Sequence, residues 1–228
     1  MKLIVLLFLT GMVLLSCDDK QKFHSENPNV AFFYPLDTIP KVYLYRDVAR
    51  GLEEEFNRIY TVTDNEGAHL IVERYASDGR LLEATNFNID SLNIQDHMVV
   101  NFKKEKEKSV LYKNSLFPMN LKKETWFAVK FKGLTDSTVM VREVKRTFKE
   151  NQQIEVMGKK VDALVFNEKV KLTVLNPFTK KEESREAKAT TYFAKGYGLV
   201  EWHSANKQVH YRLERILEQP EWVKIITR

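Results

Sequence analysis

Apolar and charged residues alternate one for one through much of the second half of this chain, and that period sharply limits its fold. Phe127, Val129 and Phe131 fall on one side of a strand with Lys130 and Lys132 on the other, and Val170, Leu172 and Val174 likewise oppose Lys169 and Lys171. A period of two buries one strand face and leaves the other wet, as in antiparallel sheet. From Lys41 onward, runs rich in Val, Ile, Tyr, Phe and Thr are broken by turn chemistry at Asp64-Asn65-Glu66-Gly67 and Ser77-Asp78-Gly79-Arg80. Lys103 to Lys108 is a charge run that reads as a solvated loop or strand end. Only Asp47 to Ile59 leans towards a helix, centred on Arg50 to Glu55. The expectation is a single all-β domain over residues 31–228, antiparallel and of about ten strands, with at most a minor helix. With 43% hydrophobic against 29% charged residues, the chain can bury a core, which excludes wholesale disorder.

The N-terminus carries an address. Met1-Lys2 is followed by an apolar run from Leu3 to Leu15, interrupted only by Thr10-Gly11. As a helix this run spans roughly 20 Å, short of a hydrocarbon core of about 30 Å. A charged start, a short apolar core and a small residue at its end make a secretory signal, assigned to residues 1–16. Leu14-Leu15-Ser16-Cys17 resembles the bacterial lipobox, and Cys17 is the one cysteine in the chain. The resemblance implies lipid attachment at Cys17, which requires more than one acyl chain for stable anchoring. Asp18-Asp19-Lys20 resembles the export tag that follows the lipidated cysteine in surface lipoproteins of the Bacteroidota. It implies an outer-membrane location, with the cell surface favoured over the periplasmic leaflet. Polar residues 17–30 read as the lipidated cysteine and a flexible tether, and Phe32-Phe33-Tyr34-Pro35 as the entry into the fold.

Charge is unevenly placed. Residues 18–100 hold 8 basic and 15 acidic side chains, whereas residues 101–228 hold 27 basic and 16 acidic ones. A basic half would ordinarily suggest nucleic acid, but an exported chain rarely meets one. Anionic headgroups, lipopolysaccharide phosphates or an acidic envelope partner fit that address better. Tyr192-Phe193-Ala194-Lys195-Gly196-Tyr197-Gly198-Leu199-Val200 resembles the near-C-terminal hairpin of envelope proteins built as open half-barrels akin to lipoprotein carriers. That resemblance implies a curved antiparallel sheet or half-barrel whose concavity is plugged by helices or holds an apolar ligand, and no segment of this sequence clearly supplies such helices.

Catalytic signatures fail in turn. There is no G-x-S-x-G elbow, and lipid consumes the cysteine. Gly196-x-Gly198 lacks the third glycine of a phosphate cradle. Asp64 to Gly67 starts like a calcium loop but lacks the ligand ladder and the closing Glu. Glu53-Glu54-Glu55 reads as a solvated acidic face. Trp126, Trp202 and Trp222 could stack on sugars, although Trp202 alternates with Val200 as a core residue does. If Ser204 to Lys207 forms a hairpin loop, Glu201, His203, His210 and Arg212 line one face. Val200, Trp202, Val209, Tyr211 and Leu213 then line the other. Two His and a Glu could bind zinc, but Arg212 repels a cation and the set reads as a wet contact face.

The expected function is therefore non-enzymatic: a membrane-anchored envelope protein acting by contact with a partner, needing neither cofactor nor metal. A carrier of an apolar ligand is the alternative, and a metal-dependent hydrolase the least favoured reading. Asp37-Thr38-Ile39, Asp90-Ser91-Leu92 and Asp136-Ser137-Thr138 each resemble the Bacteroidota O-glycosylation sequon, which implies glycans on Thr38, Ser91 and Ser137. The native protein should then exceed polypeptide plus lipid in intact mass. A mass equal to polypeptide plus lipid would remove this expectation.

Overall fold

The computed structural model describes residues 23–101, 103–133 and 138–227, so the expected signal, Cys17 and Ser137 lie outside the described residues. Antiparallel strands pair in one continuous sheet: β1 (Lys41–Asp47), β2 (Glu55–Asp64), β3 (Gly67–Tyr75), β4 (Leu81–Asn88), β5 (Ile94–Val100), β6 (Lys106–Lys108), β7 (Val110–Asn114), β8 (Thr125–Lys132), β9 (Val139–Val156), β10 (Lys159–Asn176), β11 (Lys181–Ala194), β12 (Gly198–Ser204) and β13 (His210–Glu218). One helix follows, α1 (Gln219–Ile226). The all-β expectation holds with 13 strands in place of about ten. The additional length hid in polar sequence. Of the two readings of Lys103 to Lys108, Lys106–Lys108 is a short strand paired with β5, and β9 and β11 extend through charged stretches that lack an apolar face.

Strand order is β6-β5-β4-β3-β2-β1-β13-β12-β11-β10-β9-β8-β7, with the first and last strands of the chain's long meanders paired at its centre. The outermost strands β6 and β7 are separated in sequence by a single residue, Ser109. One residue spans a few ångströms, so the two ends of the sheet must meet, and the sheet must curl. They meet without a continuous ladder: an isolated antiparallel bridge joins Asn93 to Ser115. The result is a curled, unclosed barrel.

Its interior is filled by the chain's own N-terminal segment. Phe33 and Tyr34, just after a 3-10 turn at Val30–Phe32, are buried in the main core. The Phe33 ring packs on Phe87, Phe117, Phe193 and Tyr34, with centroids 4.8 to 6.3 Å apart. Gly198 has φ +83°, and a Cβ there would overlap the Tyr34 ring, so this glycine both takes a backbone conformation that side chains rarely adopt and admits the plug. The expected tether does not hold from Ser25 onward. Ser25 Oγ donates to Ile89 O at 2.6 Å, and Asn29 Nδ2 donates to Pro118 O at 2.9 Å. Asn27 is buried with its Nδ2 donating to Ser91 O. Short polar side chains satisfy turn carbonyls at the barrel mouth, which ties this segment down.

The segment from Asp47 to Ile59, the best helix candidate in the sequence, forms no helix. Asp47 captures the N–H groups of Ala49, Arg50 and Leu52, Gly51 takes φ +65°, and β2 begins at Glu55. Side-chain capture of this kind competes with helical hydrogen bonding. Helix α1 forms instead where Glu218 and Glu221 make a reciprocal capping box with Pro220 in the first turn. It covers a second, outer core: Trp222 packs with Val42, Leu44, Phe56 and Leu217, its ring 4.9 Å from Phe56 and 5.1 Å from Tyr75.

Because Phe33 touches both halves of the sheet, Phe33→Ala should cost about 3–5 kcal/mol, read as a lower denaturant midpoint. A loss below about 1 kcal/mol would mean the barrel does not depend on its plug.

Candidate functional site

Two polar groups stand out, one inside the curl and one on the outer face. The inner one crosses the seam. Glu83 on β4 accepts from Arg74 Nε on β3 at 2.9 Å and from Arg142 Nη2 on β9, also at 2.9 Å. Strands β4 and β9 do not pair, so the Glu83–Arg142 bridge joins the two ends of the sheet across its interior. Burial opposes the charge on Glu83, and the Arg142 guanidinium beside it prevails, holding the carboxyl well below the usual carboxylate range. A second pair, Arg146 with Glu168 at 2.6 Å, is buried nearby. Arg146 also donates to Leu116 O at 2.7 Å and lies over the Phe193 ring.

Sequence reasoning missed what this seam assembles. Ser109 Oγ lies 2.9 Å from His97 Nδ1, and Glu83 Oε2 lies 3.4 Å from His97 Nε2. The order resembles a nucleophile, base and acid. However, Arg142 Nη2 is 3.0 Å from His97 Nε2, and a guanidinium can only donate. Assigned from these partners, Nε2 accepts and Nδ1 carries the hydrogen, which it donates to Ser109 Oγ. His97 so held cannot take the serine proton. With His97 1% and Ser109 6% exposed, the group acts as a clamp on the seam. No local sequence signal links these residues, since their proximity follows from the curl.

The outer group is the face expected from sequence. Glu201, His203, His210 and Arg212 do share one side of the β12–β13 hairpin, with Glu201 opposite Arg212 and His203 opposite His210. The connection is 204–209 rather than 204–207, because Ser204 N donates to Val209 O and Val209 N donates to Ser204 Oγ, closing a wider loop. The shift is two residues, so both faces keep their sides. Glu201 Oε1 lies 2.8 Å from His210 Nε2, and Glu201 Oε2 accepts from Arg212 Nε at 2.8 Å. His203 packs against His210 and Tyr192. The first three are half-buried and Arg212 is exposed. Val200, Tyr211 and Leu213 on the opposite side are buried, while Val209 and Trp202 are half-buried, Trp202 stacking on Tyr211 at 4.8 Å. Asp47 fixes the start of β13 by accepting from His210 N at 2.9 Å. Burial opposes its charge, but four backbone N–H donors hold its carboxyl below the usual range. Among the described residues, no three His, Cys, Asp or Glu side chains are grouped to hold a metal ion.

The remaining expected positions are scattered. Thr38 is exposed, whereas Ser91 is half-buried with its hydroxyl bound to Asn88 Oδ1 at 3.1 Å. Trp222 is core and Trp126 lies on the outer face. The glutamates at 53–55 separate, Glu54 pairing with Arg46, Glu53 accepting from Ser77 and Glu55 lying 3.6 Å from Arg74.

No family model matches the chain, and no curated protein matches it. Two solved structures are similar. One, described as a lipoprotein of Parabacteroides distasonis, has 13% identity and a TM-score of 0.48, covering 82% of this chain and 98% of its own. The other, described as an exported protein with a YmcC-like fold from Bacteroides fragilis, has 13% identity and a TM-score of 0.42, covering 82% and 99%.

Glu83→Gln should cost about 3 kcal/mol, since it leaves Arg142 and Arg74 without their shared carboxylate. The lowered folded-state value means that Glu83 contributes stability above its unfolded value of about 4.3, lost as pH falls. The variant should therefore lose less than the wild type on acidification from neutral pH. Parallel acid denaturation curves would reject that role.

Proposed function

We propose that this chain is an exported lipoprotein of the outer membrane, held by lipid on Cys17, that works through contact of its outer sheet face with an envelope partner. The observation that carries this reading against a carrier is the filled concavity. Phe33 and Tyr34 occupy it, leaving a pocket of about 190 Å³ lined in part by Arg74, Glu83 and Arg146. Phe33, Phe87, Phe193 and Leu199 line it as well, and ligand sites for small molecules usually run to about 300 Å³ or more.

On this reading the anchor has a direction. The described chain begins at Phe23 and is tied to the turns near residues 89–91 and 118–119, at the end of the barrel where Gly196 N donates to Ala31 O. Five residues between Cys17 and Phe23 reach roughly 20 Å, so this end would face the membrane. The β10–β11 tip lies at the far end of β11, roughly 45 Å away at strand rise, and presents Phe178, 81% exposed. The outer face and this tip are then the surfaces available to a partner.

Cys17→Ala should abolish fatty-acid labelling and release the protein from the membrane pellet. Unchanged labelling would sink the anchored reading, whatever the partner.

A further inference from the structure

The outer face of β8–β11 carries an arrangement that the fold itself does not require. Register places Lys145 on β9 opposite Lys169 on β10, and Lys169 opposite Lys188 on β11. Interior residues on these strands are Arg146, Glu168 and Thr191, bound to one another inside the curl, so Lys145, Lys169 and Lys188 all point outwards. Three ammonium groups thus form a row across adjacent strands, about 10 Å from first to last backbone. Like charges directly opposite are destabilising.

The row continues into an aromatic. Trp126 on β8 pairs with Lys145, is 38% exposed, and carries Lys145 Nζ at 4.7 Å and Lys113 Nζ at 4.9 Å from its ring. Intramolecular neutralisation is thin. Lys145 lies 3.9 Å from Glu124 and Lys169 lies 3.0 Å from Glu186, all half-exposed side chains. Among the described residues, Lys188 has no carboxylate within ion-pair distance.

The neighbouring row on the same face is neutral and polar: Thr147, Asn167 and Thr190 lie opposite one another across β9, β10 and β11. Together the two rows floor a groove of about 430 Å³, which Glu124 and Glu168 also line. Thr190 in turn faces His203, which faces His210, so the groove runs into the outer face described above.

We infer that this groove binds an anionic glycan. A row of ammoniums suits regularly spaced carboxylate, sulfate or phosphate groups, and the Thr147–Asn167–Thr190 row offers donors and acceptors to hydroxyls. An acidic polypeptide matches the charge but would leave the neutral row without hydroxyl partners. The inference stands on register and charge, independently of the lipid on Cys17.

The test uses the full chain in neutral detergent with dextran sulfate as probe, and neutral dextran, poly-L-glutamate and anionic phospholipid vesicles as comparators. Dextran sulfate should bind with an affinity that falls as salt rises, and neutral dextran should not bind. The triple variant Lys145→Ala, Lys169→Ala, Lys188→Ala should lose about tenfold or more in affinity, whereas Lys159→Ala with Lys160→Ala, exposed lysines elsewhere on β10, should stay within about twofold. Removing opposed like charges should leave the melting temperature of the triple variant equal or higher. Equal losses in both variants would overturn the site, as would a lower melting temperature in the triple variant. Poly-L-glutamate or vesicles binding as tightly as dextran sulfate, with the same dependence on the triple variant, would replace the glycan with an acidic protein or a headgroup surface.

Discussion

Burial of Phe33 and Tyr34 inside the curled sheet is the contact on which the rest of the molecule depends. A long antiparallel sheet has one face that must leave water, and its inner residues come from strands far apart in sequence. The aromatic plug gives those residues something to pack against. It contacts Phe87 from the first half and Phe193 from the second, and its neighbour Tyr34 occupies the space left by Gly198. Without that filling, the two halves would enclose a void, and voids lined by large side chains are costly.

Given the plug, charge at the seam becomes intelligible. Ser109 is a corner where one extended segment leaves the β5 edge and joins the β8 edge. Backbone pairing is interrupted there, and side chains take over: Glu83 binds Arg74 and Arg142, while His97 links Arg142 to Ser109. Buried ion pairs rarely add net stability over apolar packing, because desolvation offsets the Coulomb attraction. Their value at this corner is directional, since a carboxylate between two guanidiniums specifies which strands meet.

The convex side divides the labour differently. Helix α1 covers β1 to β3 through Trp222, which closes that part of the surface with apolar contact. The β8–β13 part stays open and polar, and it carries the lysine row, the neutral row and the His203–His210 pair in register. A surface that keeps opposed lysines sacrifices some stability, and such concessions are common where a partner or ligand supplies the missing charge.

How much of this was legible in sequence varied by element. The strands with period-two alternation, the turns at Asp64–Gly67 and Ser77–Arg80, and the two faces of the β12–β13 hairpin could be read directly, because a side chain's face in a strand is local geometry. The capping box at Glu218–Glu221 lacks the Ser or Thr that marks one in sequence, and Asp47 to Ile59 resembles a helix in sequence although Asp47 captures its N–H groups in the fold. Strand β6 and the charged ends of β9 and β11 gave no pattern, since strands paired in open water need no apolar face. The sequence by itself determined the alternating strands, the turns and the motif that ends at Cys17. Only the tertiary structure decided that residues 25–36 fold inwards, that Ser109, His97 and Glu83 meet, and that three lysines stand abreast. These depend on the curl and on register between strands far apart along the chain, and no local propensity encodes either.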